Sequence, residues 1–373
     1  MSTRFLGIII VIFLGGAEAL ARPYTYPGIR YENAESMGLG GIVLPLADEV
    51  GNSLFNNPAG LARNEKFRAE YLNVNLEAND HFLIGTGLSS SKMFNLNGLA
   101  TDLNQNTGKI YGSGGGNLTA LSFGGLGVGV LYQDRTRAIS DGTTISYETN
   151  QQFVPAVGYG LSLARGLLKL GYSAQWVSES VGTGSSSATG AGSFYTGLKK
   201  GRGLSQNISA NITLPYTYMP TLSIMGRNLG GLHYSFGGTL MSATGATQAP
   251  ADEKMSFDAA VNFMVRVSAE FKTYWYFQYL DATMATSMAA TDRLSVGIDV
   301  ALSSHFDFRF GTQGTNPAAG LSYKSEASEI ALAWHTEAAP FTGGLTATSD
   351  TMYTLQYKLF FQDKNTRNRE KQK

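Results

Sequence analysis

From Lys66 to Phe361, apolar and polar residues alternate with period two, which sets successive side chains on opposite faces of extended strands. The last third shows this best. Leu294, Val296, Ile298, Val300 and Leu302 alternate with Arg293, Ser295, Gly297, Asp299 and Ala301. Phe306, Phe308 and Phe310 alternate with Asp307 and Arg309, and Tyr353, Leu355, Tyr357, Leu359 and Phe361 with Thr354, Gln356 and Lys358. A soluble sandwich and a membrane barrel share this pattern. Several segments run ten residues or more, longer than the usual length of about five or six in globular sheets.

Loop lengths separate the two architectures. Tight turns are predicted at residues 124–125, 165–166, 215–220, 303–304 and 324–328. Between them fall longer loops at 78–117, 182–203, 233–252, 281–292 and 338–350. Short turns on one side and long loops on the other mark an outer-membrane barrel. The expected fold class is an all-β, transmembrane antiparallel β-barrel of about 14 strands, with residues 82–89 as a further candidate strand. Such a ring leaves a lumen that something must occupy, and residues 24–62 are the segment at hand. An Arg or Lys on the lipid face at midplane costs about 2–4 kcal/mol, so Arg266, Lys272, Arg293, Arg309 and Lys358 are expected to face inward. The aromatic rows then face lipid, with Tyr and Trp near strand ends as interfacial anchors.

Composition narrows the class. The 28 basic and 28 acidic residues cancel, so no nucleic-acid partner is suggested. Residues 1–21 read as a cleaved signal peptide: Arg4, an apolar run over residues 5–14, and Ala19-Leu20-Ala21 before Arg22. That run is too short to span a bilayer as a helix. Cysteine is absent, which excludes disulfides. The expected organisation is a signal peptide (1–21), an N-terminal plug (22–65), a barrel (66–361) and a polar periplasmic tail (362–373).

Just before the first strand lies SMGLGGIVLPLADEVGNSLFNNPAGL, residues 36–61. Gly38, Gly40 and Gly41 permit close-packed backbone. Asn57 and Pro58, followed by Ala59 and Gly60, read as a turn. Met37-Gly38-Leu39-Gly40-Gly41, Ala47-Asp48-Glu49 and Asn57-Pro58-Ala59-Gly60-Leu61 together resemble the plug motifs of FadL-type outer-membrane transporters and their PorV-like relatives. Asn228-Leu229-Gly230 is similar to a mid-barrel segment of the same proteins. The resemblance implies a bacterial outer-membrane channel for passive uptake of hydrophobic small molecules, long-chain fatty acids or aromatic hydrocarbons, working as a monomer without a cofactor. It implies gating by the Asn57-Pro58-Ala59-Gly60 motif. The alternative it carries is a PorV-like scaffold or shuttle serving a secretion system.

Two features disturb the sheet pattern. Gly127 and Gly129 weaken one strand, and Pro155 cannot donate to a ladder. They are the expected wall kink, and a kinked wall beside the plug implies a lateral exit to the membrane by the same resemblance. Asn57 is expected to bond backbone groups exposed there. Catalysis is not suggested. His81, His233, His305 and His335 lack metal-ligand spacing, and no serine stands out as a partner for His335. Met93, Leu96, Leu99, Ala100 and Leu103 recur at helical spacing, as a rim-capping helix or an apolar collecting surface.

Overall fold

The computed structural model describes residues 30–46, 49–64, 66–86, 96–187, 198–236, 250, 252–267, 272–280, 293–339 and 348–362. The signal peptide, Ala47 and Asp48, Met93 and residues 363–373 of the tail lie outside the described residues. The strands are β1 (Arg68–Asn79), β2 (Ile110–Phe123), β3 (Leu126–Ser140), β4 (Thr144–Leu163), β5 (Leu168–Ser187), β6 (Lys199–Thr213), β7 (Thr221–Arg227) and β8 (Ser235–Phe236). They continue with β9 (Ser256–Arg266), β10 (Lys272–Tyr279), β11 (Leu294–Ala301), β12 (Phe306–Gln313), β13 (Asn316–Lys324), β14 (Ser328–Ala339) and β15 (Thr348–Gln362). Each long strand pairs antiparallel with its neighbours; β1 pairs with β15, and β7 pairs with β9. The two-residue β8 pairs only with the start of β6, so the remaining strands form a closed fourteen-membered ring. Closure pairs every ladder group, which an open edge in hydrocarbon could not do.

The faces follow the alternation. On β12, Phe306 and Phe310 are exposed while Arg309 is 0% exposed. On β15, Leu355, Tyr357 and Phe361 are exposed while Thr354, Gln356 and Lys358 are buried. A belt of exposed apolar side chains around a closed barrel faces lipid, the architecture of the bacterial outer membrane. Ring pairs gather near the short-turn rim: Phe67 with Phe361 at 6.1 Å, Phe263 with Trp275 at 6.3 Å and Phe306 with Tyr323 at 5.0 Å. They form an interfacial aromatic girdle at the periplasmic end.

The chain between β1 and β2 departs from expectation. Residues 80–86 form a helix, α3 (Asp80–Thr86), rather than a strand, because Asn79 Oδ1 accepts from the Phe82 amide at 2.9 Å and caps it. A second helix, α4 (Leu96–Gln105), buries Leu99, Ala100 and Leu103. Together with Phe82 they pack on Tyr111, Ala138, Ile145 and Tyr147, the outward-alternating positions at the long-loop ends of β2–β4. The apolar stripe is a packed rim, not a free collecting surface.

The wall is not kinked at Gly127, Gly129 and Pro155. The β2–β3 pairing runs unbroken from Ile110↔Ile139 to Phe123↔Leu126, and β3–β4 pairs Gly127↔Gly158, Gly129↔Ala156 and Val130↔Pro155 in one register. Pro155 only interrupts the β4–β5 ladder, which resumes in register from Phe153↔Ser178 to Ala156↔Gln175. These residues are small for another reason, given below. The discontinuity lies in β7. That strand stops at Arg227; Asn228 (φ 51°), Gly230 (φ 82°) and Gly231 (φ 86°) turn the chain, which rejoins β6 as β8. Between the Gly201–Arg202 rungs with β8 and the Leu229 amide on Gln206 O, residues 203–205 of β6 have no partner strand on that side among the described residues.

Candidate functional site

Residues 30–64 lie against inward-facing side chains on opposite sides of the ring. A short helix, α1 (Ala34–Gly38), is capped by Asn33, whose Oδ1 accepts from the Ser36 amide at 2.8 Å. The next turn hugs the wall of β12 and β13. A Cβ on Gly40 (φ 75°) would fall 2.6 Å from Thr312 C, and one on Gly311 would fall 2.2 Å from Leu39 C. Gly41 (φ 79°) is a second turn glycine at this place. Gln278 Oε1 on β10 accepts from the amides of Val43 and Leu44 at 3.0 and 2.7 Å. Helix α2 (Val50–Asn56) follows, and its Asn52 holds the turn before it through Val43 O and Leu46 O.

Asn57-Pro58-Ala59-Gly60 opens a 3-10 helix, Pro58–Arg63, near the periplasmic ends of β4–β6. Asn57 is 0% exposed; its Nδ2 donates to Leu44 O at 2.8 Å and to Asn211 Oδ1 on β6 at 3.0 Å. It therefore bonds β6 and the segment itself, not backbone freed in β3 or β4. The Ala59 amide donates to Ser209 Oγ at 2.7 Å, and the Gly60 amide to Asn57 O at 2.8 Å. Pro58 lies on Gly171, where a Cβ would stand 2.0 Å from Pro58 C, and Ala62 lies on Gly160, where one would stand 2.3 Å from its amide nitrogen. A Cβ on Gly127 would meet Leu61 at 2.7 Å, and one on Gly129 would meet Leu54 at 3.0 Å. The inward glycines of β3–β5 are thus a cradle for the 3-10 helix and α2. Gly171, Gly160, Gly311 and Gly320 escaped sequence reading, although each occupies an inward register position, the signal that would have found them.

One rung toward the long-loop side, the inner face changes character. Leu118, Leu131 and Val154 are paired across β2–β4, and Val177 stands next on β5. This aliphatic row packs with Val50, Leu54, Phe55, Leu61 and Tyr31, and the same cluster continues to Leu232 and Tyr234 beside the β7 discontinuity. Above the row lies a recess of about 580 Å³ lined by Tyr31, Leu131 and a set of polar residues from β1–β4. By the loop asymmetry this is the extracellular half.

Two ionic clusters join the segment to the wall. Arg309 lies 3.2 Å from Glu35, 3.3 Å from Asp299 and 3.6 Å from Asp307. Lys358 contacts Glu49 and, at 3.2 Å, Glu329. One lysine cannot neutralise both carboxylates. Burial pushes Glu49 up to about 7, opposed by Lys358 and reinforced by Glu35, Glu70 and Glu329. At the discontinuity, Arg227 pairs with Asp258 at 2.6 Å, and Arg30 of the segment approaches the same carboxylate at 3.6 Å. Asn228 Nδ2 donates to Glu253 Oε2 at 2.7 Å, and Ser205 Oγ donates to Asn228 Oδ1 at 2.6 Å.

No protein-family model matches the chain, and neither does any curated protein sequence. Solved structures do. The CymD monoaromatic hydrocarbon channel superposes with a TM-score of 0.53 at 12% identity, covering 90% of this chain and 99% of its own. The P. putida toluene transporter TodX gives 0.52 at 12% identity over 90% and 100%. The Ralstonia pickettii toluene transporter TbuX gives 0.50 at 11% identity over 90% and 100%. In fold, the chain is a closed outer-membrane barrel like these FadL-type channels for hydrophobic compounds.

Proposed function

We propose that the protein is an outer-membrane channel for the passive uptake of hydrophobic small molecules, with residues 30–64 as its plug. The observation that carries this reading is the aliphatic row of Leu118, Leu131, Val154 and Val177 inside the barrel, continuous with Leu232 and Tyr234 at the interrupted wall. A water-filled pore has no use for a buried apolar band across its lumen. A route for apolar solutes does, and the β7 discontinuity supplies a lateral way into the membrane. Long-chain fatty acids and monoaromatic hydrocarbons are the substrates to test. The Asn57-Pro58-Ala59-Gly60 motif serves as the hinge point of the plug, and Gly38, Gly40 and Gly41 as its docking face.

The experiment is uptake of labelled oleate and labelled toluene by cells carrying the protein or lacking it. The pair Ser205→Cys and Asn228→Cys should suppress uptake when oxidised and restore it on reduction. Equal uptake with and without the protein removes the reading.

A secretion scaffold of the PorV-like kind is the second reading. The polar recess and the ionic clusters of Arg309 and Lys358 favour it, since they tie the interior shut. Loss of an exported protein in the deletion strain, with uptake unchanged, would decide for it.

A further inference from the structure

The recess above the aliphatic row has an uneven hydrogen-bond inventory. Its donors are already committed to the protein. Arg135 is forked onto Glu77, with Nε to Oε2 at 3.0 Å and a terminal nitrogen to Oε1 at 3.1 Å, and reaches Glu32 at 3.4 Å. Arg30 is directed to Asp258 on β9. Gln133 Nε2 donates to Gln152 Oε1 at 2.6 Å and to Arg30 O at 3.3 Å. Gln152 Nε2 and Asn150 Nδ2 both donate to Glu179 Oε1 at 2.9 Å.

Its acceptors are not so committed. Asn75 Oδ1 and Asn150 Oδ1, on side chains 6% exposed, receive no donor from the protein. A buried carbonyl oxygen without a donor is costly, and a ligand that brings one recovers that cost. The charge balance points the same way: Glu32, Glu77 and Asp134 line the recess, against Arg135 already paired and Arg30 turned aside. The floor, Leu131 and Tyr31, is the top of the apolar row.

We propose that this recess binds the hydrogen-bond-donating head, an amine or a hydroxyl, of a small amphipathic molecule whose apolar end rests on Leu131 and Tyr31. A carboxylate head is disfavoured, because it would meet lone pairs and acidic residues with no cation at liberty. This rests on the uptake reading only in naming what would pass; the binding itself is separate from flux.

The test uses the full mature protein in detergent, titrated calorimetrically with benzylamine, benzyl alcohol and benzoate, which share a ring and differ in the head. Benzylamine and benzyl alcohol should bind at least tenfold more tightly than benzoate. The amine and alcohol arms tell a charge-dependent from a purely hydrogen-bonding site. Benzoate binding as well as or better than the other two, or no saturable binding of any, would overturn the assignment. Glu77→Gln releases Arg135 and should raise benzoate affinity while lowering that of benzylamine. Should that variant misfold, Asn150→Leu should weaken the two donors at least fivefold, and the ranking in the unaltered protein needs no variant. Binding without uptake in cells would remove the channel reading and leave this one standing.

Discussion

Gly38 and Gly320 meet backbone to backbone: a Cβ on Gly38 would stand 2.9 Å from Gly320 Cα. The same relation recurs between Pro58 and Gly171, and between Leu39 and Gly311. The N-terminal segment is seated by the absence of side chains on the wall.

Gly171→Val should therefore displace the segment without breaking the barrel, since the β5 ladder and the outward face are untouched. Overpacking of this kind costs about 1–3 kcal/mol. The variant should remain a heat-modifiable β-rich species in detergent yet become sensitive to trypsin at Arg63. Protease resistance equal to that of the parent would show that the glycine does not seat the segment.

Adjacent positions on β12 should respond through different mechanisms. Phe308→Arg puts a cation on the lipid face, at about 2–4 kcal/mol near the midplane, and should impair assembly. A lumen arginine was expected to tolerate Arg309→Ser. The structure corrects this, because Arg309 is 0% exposed and is shared by Glu35, Asp299 and Asp307. Removing one partner of such a buried cluster costs about 3–5 kcal/mol. The expected phenotype is an assembled barrel with a protease-sensitive N-terminal segment, read on the same gels.

Docking of the segment should strengthen on acidification from pH 7 to pH 5. Burial raises Glu49 to about 7 in the docked state, opposed by Lys358, while the ordinary carboxylate lies near 4.5. In that window the docked state holds a proton that the released state has lost, so stability falls as pH rises through it. Glu49→Gln should flatten the dependence. Proteolysis half-lives at pH 5, 6 and 7 provide the measurement, and a slope of opposite sign would count against the assignment.

Asn57→Ala should lose the bonds to Leu44 O and Asn211 Oδ1, at about 1–3 kcal/mol. Asn211→Ala should reproduce part of the effect, and the double variant should fall short of the sum, since the two share one bond. Uptake of labelled oleate at matched surface abundance reads out gating. Unchanged uptake in both single variants would leave the motif a structural turn.

Strand rhythm, face assignment and ring size were legible because lipid imposes a local rule at every residue. Phe308 and Arg309 cannot exchange places without placing a charge in hydrocarbon. The site was less legible. Gly127 and Gly129 looked like weak points of a strand, since a glycine seen alone carries only a local meaning. Their partners, Leu61 and Leu54, lie more than sixty residues earlier in the sequence. Residues 80–86 show the opposite case, where a local cap at Asn79 overrode an apolar run that resembled a strand.

By itself the sequence determined the barrel, its inside and its outside, through the period-two alternation and the charge cost of the lipid face. It also marked the segment before the first strand as separate from the wall. Only the tertiary structure decided where that segment sits, that Asn57 answers to Asn211, and that the wall breaks after Arg227 rather than at Pro155. The physical reason is range. Alternation is a property of neighbours along the chain, whereas the cradle, the ionic clusters and the recess are made by residues brought together when the ring closes.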